Sequence, residues 1–385
     1  VFEGVDFLPK YNARGALSSF KFNERLPRGT SVNFIARPKV SVAPTNISLS
    51  VAGEIKLGNK SLLKASHINM DGGALLMHDS RVEGEYSIGI NSAGLLSMDN
   101  ESLMRSDYVE QGAISLASSD FLVWGNSRLS GSSKIAVEAK NRVLIQDKSS
   151  LVVGWEGAPV IPDERFPFFW DSVTGEVIDG NGELYPVKFN KQSQVARYMA
   201  NIYGVPESTF VVFNINQPYD YKTIPHIHIS ANEAVVEDGV FDSRAGWNTS
   251  ALRIDSVDAM RLSGSTEINR FEMVELTADT VEMLKGVSYH SAKDAEGEPT
   301  GVLIIRSGSL TDLRGQSLDG SVIAYSDNDI QVTDTGIDGY MIKLDAEGDL
   351  TVGTGELGIS PFLSARARVN LYGDNVHIKR NGIKS

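Results

Sequence analysis

The chain is built from one short phrase of hydrophobic and polar positions that returns about 12 times. Two hydrophobic residues stand one apart, a small residue follows two further on, a second alternating pair comes next, and a hydrophobic residue follows a polar turn. From Ile88 the phrase reads Ile88, Ile90, Ser92, Leu96, Met98, Leu103; from Ile114 it reads Ile114, Leu116, Ser118, Leu122, Trp124, Leu129. The same offsets start at Ile47, Ile135, Leu252, Leu303, Val322 and Ile342, with looser copies at Ile68, Ile227, Val274 and Val369. Alternation of period two places successive side chains on opposite faces, so each pair lies on a strand with one buried face. A repeat of roughly 20 to 27 residues holding two or three such strands is one coil of a β-helix, which hides its apolar face only by stacking on the next coil. The pattern therefore predicts an all-β, parallel β-helix solenoid, with the right-handed coil as the common choice. A β-sandwich or barrel also alternates, but has no reason to preserve offsets this closely.

The punctuation fits. The small residue of the phrase (Ser92, Ser118, Ala139, Ser256, Ser307) suits a bend between strands, where a bulky side chain would overfill a corner. Polar turns recur at matching places: Asn59-Lys60-Ser61, Asn100-Glu101-Ser102, Gly125-Asn126-Ser127, Asp147-Lys148-Ser149. Asn, Asp, Ser and Gly tolerate turn geometry and bond nearby backbone. Residues 1–46 precede the clear coils and read as a β-rich cap over a solenoid end. Coils occupy 47–153. Between Ile135 and Ile227 the spacing jumps to about 92 residues, far beyond one repeat. The segment 154–224 is an insertion of α+β character: it holds Phe166-Pro167-Phe168-Phe169-Trp170, a hairpin signal at Asp179-Gly180-Asn181-Gly182, and a helix over 192–203. That helix places Val195, Met199, Ile202 and Tyr203 on one side and stops at Gly204 before Pro206. Coils resume and fill 225–385, interrupted by an exposed loop at 294–299. One elongated domain is the economical reading.

Composition narrows the setting. The chain has 385 residues, no cysteine and a formal net charge of −13. Disulfides, thiolate metal sites and a cysteine nucleophile are excluded. The acidic balance disfavours attraction to phosphate backbones, so nucleic acid is not expected as a partner. No apolar run approaches the roughly 20 residues of a membrane span, and a soluble chain is expected. The first residue is Val1, as in a processed or excised chain, so a secretion signal can lie outside it.

The segments "SGSSKIAVEAKNRVLIQDKSSLVVG" (130–154) and "DGYMIKLDAEGDLTVGTGELGI" (338–359) resemble coils of the filamentous-haemagglutinin type of secreted bacterial exoprotein. "SSFKFNERLPRGTSVNF" near the amino end resembles the opening of the secretion domain of two-partner secretion proteins. The Asn-Pro-Asn-Gly turn usual in that domain is absent, and the aromatic insertion is foreign to the coil pattern. Phage tailspikes and receptor-binding fibres use similar columns, as trimers. Either resemblance implies an extracellular surface-attachment role, at a secreted bacterial surface or a virion tail, with a cell-surface glycan or receptor as partner. A tailspike would be a homotrimer that cleaves capsular or lipopolysaccharide glycan as hydrolase or lyase.

Candidate chemistry gathers where the phrase breaks. His226 and His228 in "PHIHIS" flank buried Ile227 and should face outward on one strand face near Glu237. Side-by-side imidazoles can hold a metal, yet no third ligand is evident, and a solvent-facing or insertion-facing pair is the simpler reading. Trp155, Phe169, Trp170 and Tyr185 offer faces on which sugars stack; alternatively Phe166, Phe168, Phe169 and Trp170 form the insertion's own core or its seal against the column. Glycan hydrolysis needs two facing carboxylates. Asp163, Glu164 and Asp171 flank the aromatics, and Glu237, Asp238 and Asp242 lie where the insertion rejoins the coils. A lyase would draw on Tyr221, His226, His228 or Arg244. "SDND" at 326–329 and "DTGID" at 334–338 lack calcium-loop spacing and read as polar turns. No motif requires a cofactor. The expectation is thus an extracellular attachment protein that presents loops and the insertion to a polysaccharide, with a depolymerase as the alternative.

Overall fold

A computed structural model shows an all-β parallel β-solenoid of about 13 coils with one short helix. It describes residues 7–11, 17–22, 32–33 and 46–384, apart from 59, 109–110, 155–166, 180–183, 205, 208–209, 218–223, 245–249, 294–296, 298, 356, 358–360 and 380–382. Two compact units result, one of residues 1–155 and 227–240, the other of 156–226 and 241–385. Among the described residues no helix is long and apolar enough to cross a membrane.

In the first unit the first pair of the phrase stacks in register, but later positions slip by one where neighbouring residues are both apolar: Phe121 and Val123, not Leu122 and Trp124, are the buried pair opposite Leu96 and Met98, and Met104, not Leu103, is buried opposite Leu129. Ile47 lies opposite Ile68, Ile68 opposite Ile88, Ile88 opposite Ile114, and Ile114 opposite Ile135. All five are buried, as are Leu49, Met70, Ile90, Leu116 and Val137 two residues on. Ser92 and Ser118 sit buried at the bend. The Ser92 hydroxyl donates to the Leu95 carbonyl at 3.0 Å, which satisfies the polar atom inside the corner. Before the coils, Phe7–Tyr11 and Leu17–Phe22 pair antiparallel, and Val32–Asn33 adds in parallel to Glu54–Leu57.

The polar turns have a common geometry. Asn100 and Glu101, Gly125 and Asn126, and Asp147 and Lys148 all adopt left-handed φ between 51° and 63°. The serine that closes each turn is drawn inward: Ser61, Ser80, Ser102, Ser127 and Ser149 form a buried column. The Ser102 hydroxyl donates to Asp99 O at 2.7 Å and accepts the Ser80 N–H at 3.3 Å from the coil beneath.

In the second unit the strands at 251–263, 273–283, 302–314, 321–326 and 336–346 stack in the same register, with Leu252, Val274, Leu303, Val322 and Ile342 fully buried. Here the insertion forms a lobe in three layers. Its central sheet has Pro167–Trp170 between Val177–Asp179 (antiparallel) and Val211–Asn214 (parallel). Strand alternation sends Phe168, Trp170, Val177 and Val212 to one face, where they pack with Val195 and Met199 of helix α1 (Gln192–Tyr203). The opposite face carries Phe169, Ile178 and Phe213, which pack on Met273, Val302, Ile304, Ile323 and Met341 of the coils. Helix α1 ends at Gly204, whose φ of 70° and N–H bond to Ala200 O make a left-handed cap. Its buried residues are Val195, Met199 and Ala200, whereas Ile202 and Tyr203 of the same expected face are 52% and 46% exposed. The hairpin signal at 179–182 falls mostly outside the described residues, but Ile178 and Leu184 on its flanks pair antiparallel, as such a turn requires. Lys293 and Pro299 likewise pair across the loop at 294–299.

Candidate functional site

Trp155, Asp163, Glu164, Phe166 and Tyr221 lie outside the described residues. Phe169 and Trp170 are buried, Phe169 stacked on Phe213 and the Trp170 indole N–H donating to Phe189 O at 3.0 Å. Their faces are turned away from any ligand in solvent. Tyr185 packs on the same lobe core and shares a 3.0 Å hydroxyl contact with Tyr203. Glu237 accepts from Gln146 at 2.9 Å. Asp238 occupies a left-handed turn, and Asp242 is held bidentate by Arg270. His226 donates from Nδ1 to Ile224 O at 2.8 Å, and both His226 and His228 are half-buried. Among the described residues no group of three or more His, Asp or Glu is placed to hold a metal ion.

Asp171 enters a larger network. Its carboxylate accepts the N–H groups of Val173 and Thr174 and the amide of Asn216 at 2.8, 3.1 and 2.6 Å. Burial opposes its ionisation, but these hydrogen bonds outweigh burial and lower its pKa. Tyr325 on the coils donates to Asn216 Oδ1 at 3.2 Å and accepts from Lys343 Nζ at 3.3 Å. Arg306 donates to Ile215 O at 2.7 Å and faces Glu275 at 3.4 Å. Burial raises the Tyr325 pKa against the pull of Lys343. For Lys343, burial favours the neutral amine, but Tyr325, Asp345 and Asp171 prevail and hold its pKa up. Both groups stay protonated at neutral pH and serve as donors rather than as proton acceptors. The network is a polar tie between the lobe and the coils of its own unit.

An accessible site lies in the first unit, on the outward side of the strands whose inward side is the core. A trough of about 590 Å³ runs over five successive coils. One outward row is Ser48, Asn69, Gly89, Ser115 and Ala136; the next is Ser50, Asp71, Asn91, Ala117 and Glu138. Both rows consist mainly of short polar or small residues, so the sheet surface itself is the floor. Gly89 matters locally, since a Cβ there would stand 2.8 Å from Asn69 Oδ1; its absence lets the Asn69 amide lie across the floor. Asn91 donates to Asp71 at 3.3 Å. Two residues before Asn69 on the same strand, His67, bonded to Ser87 Oγ at 2.9 Å, stacks on Tyr86 with centroids 5.3 Å apart, and Tyr86 packs on Tyr108 at 4.2 Å. The Tyr108 hydrogen bond, with burial and nearby negative charge, raises the Tyr86 pKa.

Asp71 and Glu138, the carboxylates of the trough, stand three interstrand steps apart, about 14 Å along the backbone stack. Paired glycosidase carboxylates stand about 5 to 9.5 Å apart. The trough is furnished for hydrogen bonding. Sequence reasoning missed it because the phrase was read for its inward positions; the signal was the run of Ser, Asn, Gly and Ala at the outward ones. No protein-family model, curated protein or solved structure matches the chain.

Proposed function

We propose that this chain is an extracellular surface-attachment protein that holds a cell-surface polysaccharide on the open strand face of its first unit. The carrying observation is the five-coil trough floored by short hydroxyl and amide side chains. Such side chains both donate and accept hydrogen bonds, as sugar hydroxyls do. Concave, pre-formed sites with convergent polar groups are where ligands of this class bind. The β-solenoid supports the reading by supplying a long, regular face whose side chains repeat at a fixed spacing.

Gly89→Trp tests it by filling the middle of the trough from an outward position. In gels containing capsular polysaccharide or lipopolysaccharide, the native chain is expected to be retarded and Gly89→Trp to migrate freely, with the two melting temperatures within a few degrees. Equal retardation of both proteins overturns the assignment. New reducing ends or unsaturated uronate products during incubation would instead identify a depolymerase.

A further inference from the structure

We infer, resting on the glycan reading above, that the trough takes a linear, neutral polysaccharide laid along the stacking direction, one sugar to each coil, and discriminates against uronate- and sulfate-bearing chains. Direction follows from register. Across the five coils the two outward rows pair without a shift; the irregularities fall at the bends, between Ala65 and His67 and between Ser118 and Asp120. Equivalent side chains therefore recur at the interstrand spacing of about 4.8 Å, and the rows run about 19 Å. One extended pyranose unit is close to one such step in length. Along the strands, by contrast, only a few outward positions precede the bend.

The lining decides the class of sugar. Ser48, Asn69, Ser115, Ser50 and Asn91 can serve hydroxyls as either donor or acceptor. Of the charged residues, Asp71 and Glu138 are negative and Lys134 positive, on a chain whose net charge is −13. A polyanion would meet unfavourable potential along the whole approach.

Isothermal titration of the full chain with neutral linear oligosaccharides of two to seven units (β-1,4-glucan, β-1,4-mannan and α-1,4-glucan), alongside oligogalacturonates of the same lengths, tests this. At least one neutral series is expected to bind, with affinity rising about threefold or more per added unit and levelling at about five. Oligogalacturonates are expected to bind at least about tenfold more weakly at low salt, with the gap narrowing as salt is added. Ser48→Trp, which blocks an end coil, should move the plateau one unit shorter. A plateau at two or three units, an unmoved plateau in Ser48→Trp, or oligogalacturonates binding as tightly as neutral chains overturns this inference while leaving glycan attachment standing. Failure of every oligosaccharide, together with polysaccharide retardation that Gly89→Trp does not change, overturns both.

Discussion

Single residues show how the solenoid handles its polar atoms. Each serine that closes a left-handed turn sits in a buried column rather than in solvent, and Ser102 satisfies its hydroxyl against Asp99 O. The turn residues were legible from composition; the stacking of the serines was not, because it arises only when coils lie on one another. Asp171 illustrates the same divide. It was singled out for its position beside the aromatics, whereas its structural role is to cap the turn at 173–174 and, through Asn216, to join Tyr325. Its folded pKa lies below the ordinary value of 3.8. A carboxylate of depressed pKa contributes stability that is present above the unfolded pKa and lost as pH falls through the folded one. Melting temperature should therefore drop on acidification below about pH 4, and Asp171→Asn should flatten that part of the profile. An unchanged acid limb in the variant would count against the assignment.

At the scale of elements, the same position of the phrase has opposite fates. Ser115 follows the first inward residue of its coil and is exposed; Ile304 occupies the corresponding place and is fully buried beneath Phe169 and Phe213 of the lobe. Ile304→Asp should cost about 4 kcal/mol or more, because it places a carboxylate in an apolar seam. Ser115→Asp should stay within about 0.5 kcal/mol. Chemical denaturation of the two variants separates them, and similar losses would mean that the lobe does not cover this face. The distinction was written in the sequence as the unbroken run Val302-Leu303-Ile304-Ile305 against the alternating Ile114-Ser115-Leu116, since a strand buried on both faces loses its polar positions. Helix α1 shows where pattern reading stops. Its limits and its glycine cap follow from the chain, yet the exposure of Ile202, expected on one face with Val195 and Met199, does not.

At the scale of the molecule, a solenoid is stabilised by nearest-neighbour contacts, so damage spreads over a short range. Ile254, fully buried and opposite Leu276, provides a probe. Ile254→Ala should cost about 2 to 5 kcal/mol. By hydrogen exchange, loss of protection should concentrate in Ala251–Ser263 and Met273–Met283 and leave Gly336–Ala346, four coils on, nearly unchanged. Uniform loss across all these strands would show global rather than coil-by-coil opening. The sequence by itself determined the solenoid, its turns and the first inward pair of each coil, because every coil must repeat the side-chain offsets of the coil beneath to keep the core in register; which of two neighbouring apolar residues turns inward, as at Phe121 and Leu122, was decided by the stacking. Only the tertiary structure decided what covers an apolar outward row: at Ile304 it is Phe169 and Phe213 of the lobe. That choice rests on contacts between segments far apart in the chain, such as Phe169 with Ile304, for which local alternation carries no record of the partner.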